Sequence, residues 1–370
     1  MNEVFEAVGE SAEAPHTIAA APELVSPLAD GWLRCWACGH ACKIPPGRPG
    51  VCRVRFNVEG TLRVPAGYVA ALHCDPIEKK PFFHVLPGTR TASFGMLGCD
   101  LHCAYCQNWV TSQAGRDPAA IAPIQVTTAR DLVRWALARG APVLTSTYNE
   151  PLITAEWAVD VFQCAKKAGL GTAFVSNGNA TPQVLQYLRP WVDFYKVDLK
   201  SFDARHYREL GGRLDRILDT IPRLVELGFW VEIVTLVIPG FNDSDAEFEN
   251  IARYLASISP DIPWHVTAFH KDYKMTDPEN TPASTLLRAC AHGRDAGLRY
   301  VYAGNLPGRV GPWENTVCPS CDLAVIERRG FEVRAMRMQS GCCARCGTAI
   351  AGVWDGVGPS ANLPAESGRV

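Results

Sequence analysis

The chain has 370 residues, 36 basic and 38 acidic side chains and a hydrophobic content of 47%. That length accommodates one large domain with small appendages, and the composition is that of an ordinary globular protein. The near-balanced charge argues against a bulk nucleic-acid or membrane-surface binder, and no apolar run reaches the roughly 18 residues that span a bilayer.

Residues 1–24 are rich in Ala, Glu and Pro and read as a disordered tail. They lack the basic and apolar stretches of a signal peptide, which points to a cytoplasmic protein. Residues 25–90 read as a Cys-rich metal-binding module with a linker. It contains Cys35-Trp-Ala-Cys38-Gly-His-Ala-Cys42, then Cys52. Four thiolates with a C-x₂-C core suit either a zinc ion or a second iron–sulfur cluster, and spacing does not choose between them. His40 is an alternative ligand. The linker carries the unusual run Ile77-Glu-Lys-Lys-Pro-Phe-Phe-His84.

From residue 91 to about 310, short apolar strands alternate with helical patterns. Strands are predicted over Thr91–Leu97, Val143–Tyr148, Gly171–Ser176, Phe194–Asp198, Trp230–Val237, Trp264–Ala268 and Arg299–Tyr302. Helices are predicted over Thr127–Ala138, Thr154–Ala168, Pro182–Leu188, Arg213–Leu227, Asp245–Ile258 and Ser284–Ala296. Alternation of this kind specifies a parallel sheet with crossover helices. Six or seven units are too few for a closed eight-stranded barrel. The expected fold is therefore α/β, an open, partial (β/α)6-type barrel.

The first predicted strand runs into Cys99-Asp-Leu-His-Cys103-Ala-Tyr105-Cys106. Three close thiolates suit a [4Fe–4S] cluster with one iron left open, and the alternative is a zinc knuckle sharing a distant fourth ligand. Later strand ends carry further polar groups. Thr147-Tyr-Asn149-Glu150-Pro151 offers a carboxylate or a helix-capping turn. Ser176-Asn177-Gly-Asn179 offers short polar side chains or a simple turn. Asp198-Leu-Lys200 offers an acid and a base on one face or a buried ion pair, and His265 to His270 flank the sixth strand's end.

Residues 311–354 hold Cys318-Pro-Ser-Cys321 and Cys343-Ala-Arg-Cys346, the pattern of a zinc-ribbon-like module with a structural zinc. Cys342 is an alternative ligand. Residues 355–370 read as a second disordered tail. Most of the fifteen cysteines thus fall into three metal-ligand clusters, which fits a reducing compartment better than a disulfide scaffold. Cys164 and Cys290 lie on helical patterns and read as buried inert thiols.

The C-x₃-C-x₂-C loop with an aromatic before its last cysteine resembles the signature of the radical S-adenosylmethionine (radical SAM) superfamily. More closely, the N-terminal cysteine module, Gly95-Met-Leu-Gly98 before the loop, Tyr148-Asn-Glu-Pro151, Asp198-Leu-Lys200-Ser-Phe202, His270-x-Asp272-Tyr-Lys274-Met and Glu314-Asn315-Thr-x-Cys318 resemble the radical SAM component of the AmmeMemoRadiSam system. The wider kin are activating enzymes of glycyl radical proteins, such as pyruvate formate-lyase activase. The resemblance implies a [4Fe–4S] cluster on Cys99, Cys103 and Cys106 and reductive cleavage of SAM to a 5′-deoxyadenosyl radical. That radical would abstract a hydrogen atom from a protein or small-molecule substrate.

It further implies Tyr105 near the adenine, Asn149 and Glu150 at the methionyl amino group, and Ser176 and Asn177 at the ribose. Asp198, Lys200 and His270 would line the SAM or substrate pocket. Implied partners are a flavodoxin- or ferredoxin-type electron donor and the other components of the system. Tyr-Asn-Glu-Pro stands where many superfamily members carry Gly-Gly-Glu, and His270-Lys271 stands in place of His-Pro. Two other readings stay in view: a non-catalytic multi-metal scaffold, and a radical SAM enzyme modifying RNA. The charge balance and the lack of a basic, aromatic-rich stripe disfavour nucleic acid.

Overall fold

The computed structural model describes residues 16–356. The stretches 1–15 and 357–370, where most of the two expected tails lie, fall outside it. At the centre is an eight-stranded sheet whose strands are numbered here in chain order. They are β1 (Ala71–Pro76), β2 (Arg90–Gly95), β3 (Val143–Ser146), β4 (Gly171–Ser176), β5 (Phe194–Asp198), β6 (Trp230–Val237), β7 (Trp264–Ala268) and β8 (Val301–Gly304). Spatial order follows chain order from β1 to β8. Only β1 runs antiparallel to its neighbour.

The parallel strands are short and buried on both faces, as crossover helices require. Leu144, Phe174, Tyr195, Val197 and Ile233 pack against helix residues such as Phe162, Leu188, Ile221 and Leu255. The alternate positions Val143, Ala173 and Phe194 face the other way and meet Ile77, Phe82, Val85 and Leu86. Helices Ala129–Leu137, Pro182–Leu188 and Asp245–Ile258 begin where Thr128, Thr181 and Ser244 accept from the amides of Asp131, Val184 and Glu247. Phe94 pairs with Ser146, Ser176 with Val197, and Asp198 with Val234, so the strands finish along one rim.

The structure departs from the sequence expectation at the domain edges. Residues 17–24 are built into the fold: Thr17–Ala19 pairs with Thr61–Pro65, and Leu24 is fully buried. A short apolar strand this close to Ala-Glu-Pro composition is masked by its polar neighbours. The run expected as a linker is also buried. Its amides at Phe83 and His84 each donate at 3.0 Å to Glu232 on β6, and β1 just before it already belongs to the central sheet. At the far end, strands Thr316–Val317, Ala324–Arg329 and Glu332–Met336 form a separate three-stranded sheet. Among the described residues no helix is long and apolar enough to cross a membrane.

Candidate active site at the strand ends

The loop leaving β2 is shaped by two glycines. A Cβ on Gly95 would stand 2.5 Å from the Thr147 carbonyl oxygen, so only glycine lets the ends of β2 and β3 come together. Gly98 has φ +93, and a Cβ there would lie 2.7 Å from Val54. The Met96 amide donates to Asn149 Oδ1 at 2.9 Å and that of Gly98 to the Thr111 carbonyl at 2.9 Å. Cys99, Cys103 and Cys106 project from this fixed loop. The Leu101 amide donates to Cys99 Sγ at 3.4 Å, and Ser112 Oγ lies 3.1 Å from Cys106 Sγ.

Burial raises all three thiols, Cys103 up to about 11, and Asp100 adds to the rise at Cys99. Thiolates this poorly solvated need bound cations beside them, and a metal is bound as the thiolate. Three closely spaced thiols on one loop suit a cluster that gives each thiolate its own iron.

Behind the loop lies a buried polar network. Glu150 accepts from Ser176 Oγ at 2.7 Å, from the Asn177 amide at 2.8 Å and from the Leu152 amide at 3.1 Å. Asp100 accepts from Asn177 Nδ2 and Asn179 Nδ2, both at 2.7 Å. Burial first, and then the Asp100 charge, push the Glu150 carboxyl up to about 8 against those hydrogen bonds. A buried carboxylate next to another has one obvious complement, a bound cation. Asn149, Glu150, Ser176 and Asn177 are thus brought together. Glu150 caps the turn beginning at Pro151, the structural role weighed for it, while Asn149 instead holds the β2 loop.

On the rim from β5, Asp198 is gripped by Lys196, and Lys200 Nζ lies 3.4 Å from it. Burial alone would raise the Asp198 carboxyl, but the two ammonium groups outweigh it and hold it below its usual range. The ion-pair reading is therefore present in the structure, and the same residues open onto a cavity of about 630 Å³. Cys103, Tyr105 and Cys106 form one wall, Tyr148, Lys196, Asp198 and Lys200 contribute to the lining, and the exposed His270 stands at the rim. The segment after His270 straps the cysteine loop. The Lys274 amide donates to the Ala104 carbonyl at 3.0 Å, Tyr273 OH donates to Asp117 at 2.5 Å, and the Tyr273 ring stacks on Trp109 at 5.1 Å.

Sequence reasoning overlooked Asp100 and Lys196 as site residues, and named Asn179 only within the short polar run after the third predicted strand. Lys196 was legible by period-two alternation with Asp198 and Lys200. Asp100 sits between two candidate ligands, where nothing in the spacing marks it.

The C-terminal cysteines converge fully. Cys318 and Cys346 sulfurs are 3.6 Å apart and those of Cys321 and Cys343 are 3.7 Å apart. A tetrahedron of thiolates on bonds of about 2.3 Å has an edge of about 3.8 Å, so these four fit a single ion. Cys343, and not Cys342, completes the group. The N-terminal cysteines fall in two apolar clusters, Cys35 and Cys42 with Ile44, and Cys38 and Cys52 with Val54 and Ile153.

Residues 95–255 match the radical SAM superfamily. An uncharacterized protein of Methanocaldococcus jannaschii is 35% identical over 328 residues, which covers 87% of this chain and 96% of that protein. The pyruvate formate-lyase-activating enzyme of Clostridium pasteurianum is 26% identical, over 52% of this chain and 85% of its own. The pyruvate formate-lyase 1-activating enzyme of Escherichia coli is 27% identical, over 55% of this chain and 87% of its own.

Proposed function

The chain belongs to the radical SAM superfamily, with homology to glycyl-radical activating enzymes, and from that premise we propose that it is a SAM-cleaving oxidoreductase acting on a protein or small-molecule substrate. The observation that carries the reading is the meeting of Cys103 and Cys106, on the same loop as Cys99, with charged strand ends around one cavity. When bound, a [4Fe–4S] cluster and SAM would supply an electron and a 5′-deoxyadenosyl radical for hydrogen abstraction.

The chain's own residues have distinct tasks. Cys99, Cys103 and Cys106 would hold such a cluster by three thiolates, which would leave one iron position without a protein ligand. The Glu150–Asp100 pair, short of positive charge, suits the amino group of SAM. Ser176 and Asn177 hold that carboxylate in place, and their role toward SAM would be to face the ribose. Lys200, anchored on Asp198, and His270 suit the SAM carboxylate or the substrate, and Tyr105 offers a buried ring for the adenine. The sheet, open between β8 and β1, reads as a partial barrel of (β/α)6 type. The C-terminal cysteines read as a zinc-ribbon-like site with a structural zinc ion, and the N-terminal ones as a further metal site.

A glycyl radical protein is one form of substrate. Electron supply from a flavodoxin or ferredoxin, membership of the AmmeMemoRadiSam system and a cytoplasmic setting complete the proposal. The test is anaerobic reconstitution with iron and sulfide, then dithionite and SAM, with 5′-deoxyadenosine measured by chromatography. Product from the parent and none from Cys103→Ala is the expected outcome. A protein that binds no iron, or loads a full cluster and never cleaves SAM, would be a metal scaffold instead.

A further inference from the structure

The cavity that begins at Cys103 and Cys106 is also lined by four lysines, Lys79, Lys80, Lys196 and Lys200. The acids in its wall are Asp198 and Glu314, and both already have partners. Asp198 holds Lys196 and Lys200, while Glu314 accepts from the Gly330 amide at 2.6 Å and the Gly308 amide at 2.9 Å. Two of the lysines are almost out of reach of water: Lys80 is 5% exposed and Lys196 4%.

An ammonium group carries three N–H donors, and burying any of them unmet is costly. Lys80 Nζ donates to Asp75 Oδ2 at 3.0 Å and to Tyr148 OH at 2.9 Å. Lys196 Nζ has Asp198 alone among the described residues. Donors on both therefore stand unanswered at the cavity wall. Burial lowers the Lys80 ammonium despite Asp75, and Lys79 and Lys196 repel it. Burial lowers that of Lys196 despite Asp198, and Lys200 repels it. The charges acting most on these two include no thiolate, whereas Lys200 faces Cys103. Lys200 is thus turned to the cysteine loop, and Lys80 and Lys196 remain for a different anion.

The backbone is shaped around this arrangement. Tyr148 is held at φ +70, a left-handed conformation that costs an aromatic residue free energy. Gly95 makes room for it, since a Cβ there would lie 2.7 Å from that of Tyr148. The phenol so placed meets the Lys80 ammonium, which also lies 4.7 Å from the ring centroid.

We propose that the substrate is a small molecule bearing a carboxylate or phosphate group, and that Lys80 and Lys196 bind that group. The inference rests on reading this cavity as the place of hydrogen abstraction, and it narrows the substrate. A cavity of about 630 Å³ is the size of a small-molecule site. A glycyl backbone would bring only neutral amides to donors that call for an anion.

The test is isothermal titration calorimetry on the anaerobically reconstituted full chain, without reductant, with and without saturating SAM. The probes are inorganic phosphate, succinate and the neutral N-acetylglycinamide. Phosphate or succinate should bind in both conditions, the tighter of the two naming the group, and N-acetylglycinamide should not. Lys80→Met leaves Asp75 paired with Lys79 at 3.1 Å and should weaken the anion at least about tenfold, the scale of one charged hydrogen bond. A parent that binds neither anion, binding that SAM displaces, tighter binding of N-acetylglycinamide, or an unchanged Lys80→Met variant each overturns the proposal. Should that variant fail to fold, crystals of the parent grown with selenate locate the oxyanion by anomalous scattering. A peak at Lys80 and Lys196 supports the site, and a peak elsewhere or none overturns it. Measuring 5′-deoxyadenosine in parallel separates the two readings. SAM cleavage by a chain that binds no anion keeps the radical reading and removes this one, and anion binding without SAM cleavage does the reverse.

Discussion

Replacing Arg55 with Met leaves a buried carboxylate without its cation. Arg55 reaches both oxygens of Glu156 at 2.7 Å and the Ile153 carbonyl at 3.1 Å, and both side chains are almost wholly buried. After the change Glu156 keeps one distant donor, the Ala21 amide at 3.4 Å. Breaking a buried pair in this way costs about 3–5 kcal/mol, several times what an exposed pair contributes. The Arg55→Met/Glu156→Leu double variant removes both charges and should regain most of the loss, because an apolar pair of similar volume replaces a buried ion pair at little cost. Urea unfolding midpoints of the metal-loaded protein, compared at equal slope, give the answer. A single variant as stable as the parent would refute the argument. A double variant no better than the single would show that Arg55 acts instead on the thiolates of Cys35 and Cys52, whose charges it also faces.

Three further outcomes follow from the geometry. Gly98→Ala should lower the iron content and the SAM-cleaving rate together, since Gly98 has φ +93 and a Cβ there must displace Val54; normal iron loading would show the loops tolerate separation. Cys321→Ala should abolish tight zinc retention and lower the thermal midpoint, whereas Cys342→Ala should leave zinc content unchanged. His84 donates from Nδ1 to the Ala351 carbonyl and accepts at Nε2 from Tyr302, both at 2.6 Å, and burial pulls its pKa down to about 4. Its folded pKa lies below the unfolded value of about 6.5, so stability is lost as pH falls from there to about 4, at up to about 1.4 kcal/mol per unit. Measured beside the nearby Glu232–His265 pair, which both chains retain, His84→Gln should flatten that part of the urea-midpoint profile.

The strands from Val143 to Ala268 were legible because buried parallel strands are short apolar runs ending in turn residues. The helices were legible because their caps are side chains with a local job, Thr128, Thr181 and Ser244. The rim was legible because polar groups at successive strand ends have no packing reason to be there. The meeting of Asp100 with Glu150 was not, since a pair separated by 50 positions is fixed by chain tracing and not by local pattern. Residues 77–88 read as a linker for a similar reason. Their Glu78 and His84 look solvated until Arg328 and Tyr302 arrive from distant segments to partner them, while Glu232 accepts from the amides of Phe83 and His84.

Those same contacts explain why a module with four converging cysteines belongs beside this sheet. The central sheet is open between β8 and β1, and an open parallel edge exposes unpaired backbone. Residues 77–88 hang from β1 and are fixed to β6 through Glu232 and to β8 through the His84–Tyr302 hydrogen bond. The C-terminal module seals them in. Leu86 donates to the Val353 carbonyl at 2.8 Å and Val353 to that of His84 at 2.7 Å, while Arg328 gives a hydrogen bond to Phe83 O at 2.7 Å and lies over the Phe83 ring. Cys318 packs in the same apolar cluster as Phe83, Tyr300 and Tyr302. The module also reaches the cavity, where Glu314, Gly330 and Phe331 stand in the wall with Lys79 and Lys80. Glu314 holds that wall by accepting from the amides of Gly308 and Gly330. A metal held at Cys318, Cys321, Cys343 and Cys346 would therefore support the part of the cavity wall that carries Glu314, Gly330 and Phe331, and its removal should alter what the cavity admits before it disturbs the loop of Cys99, Cys103 and Cys106.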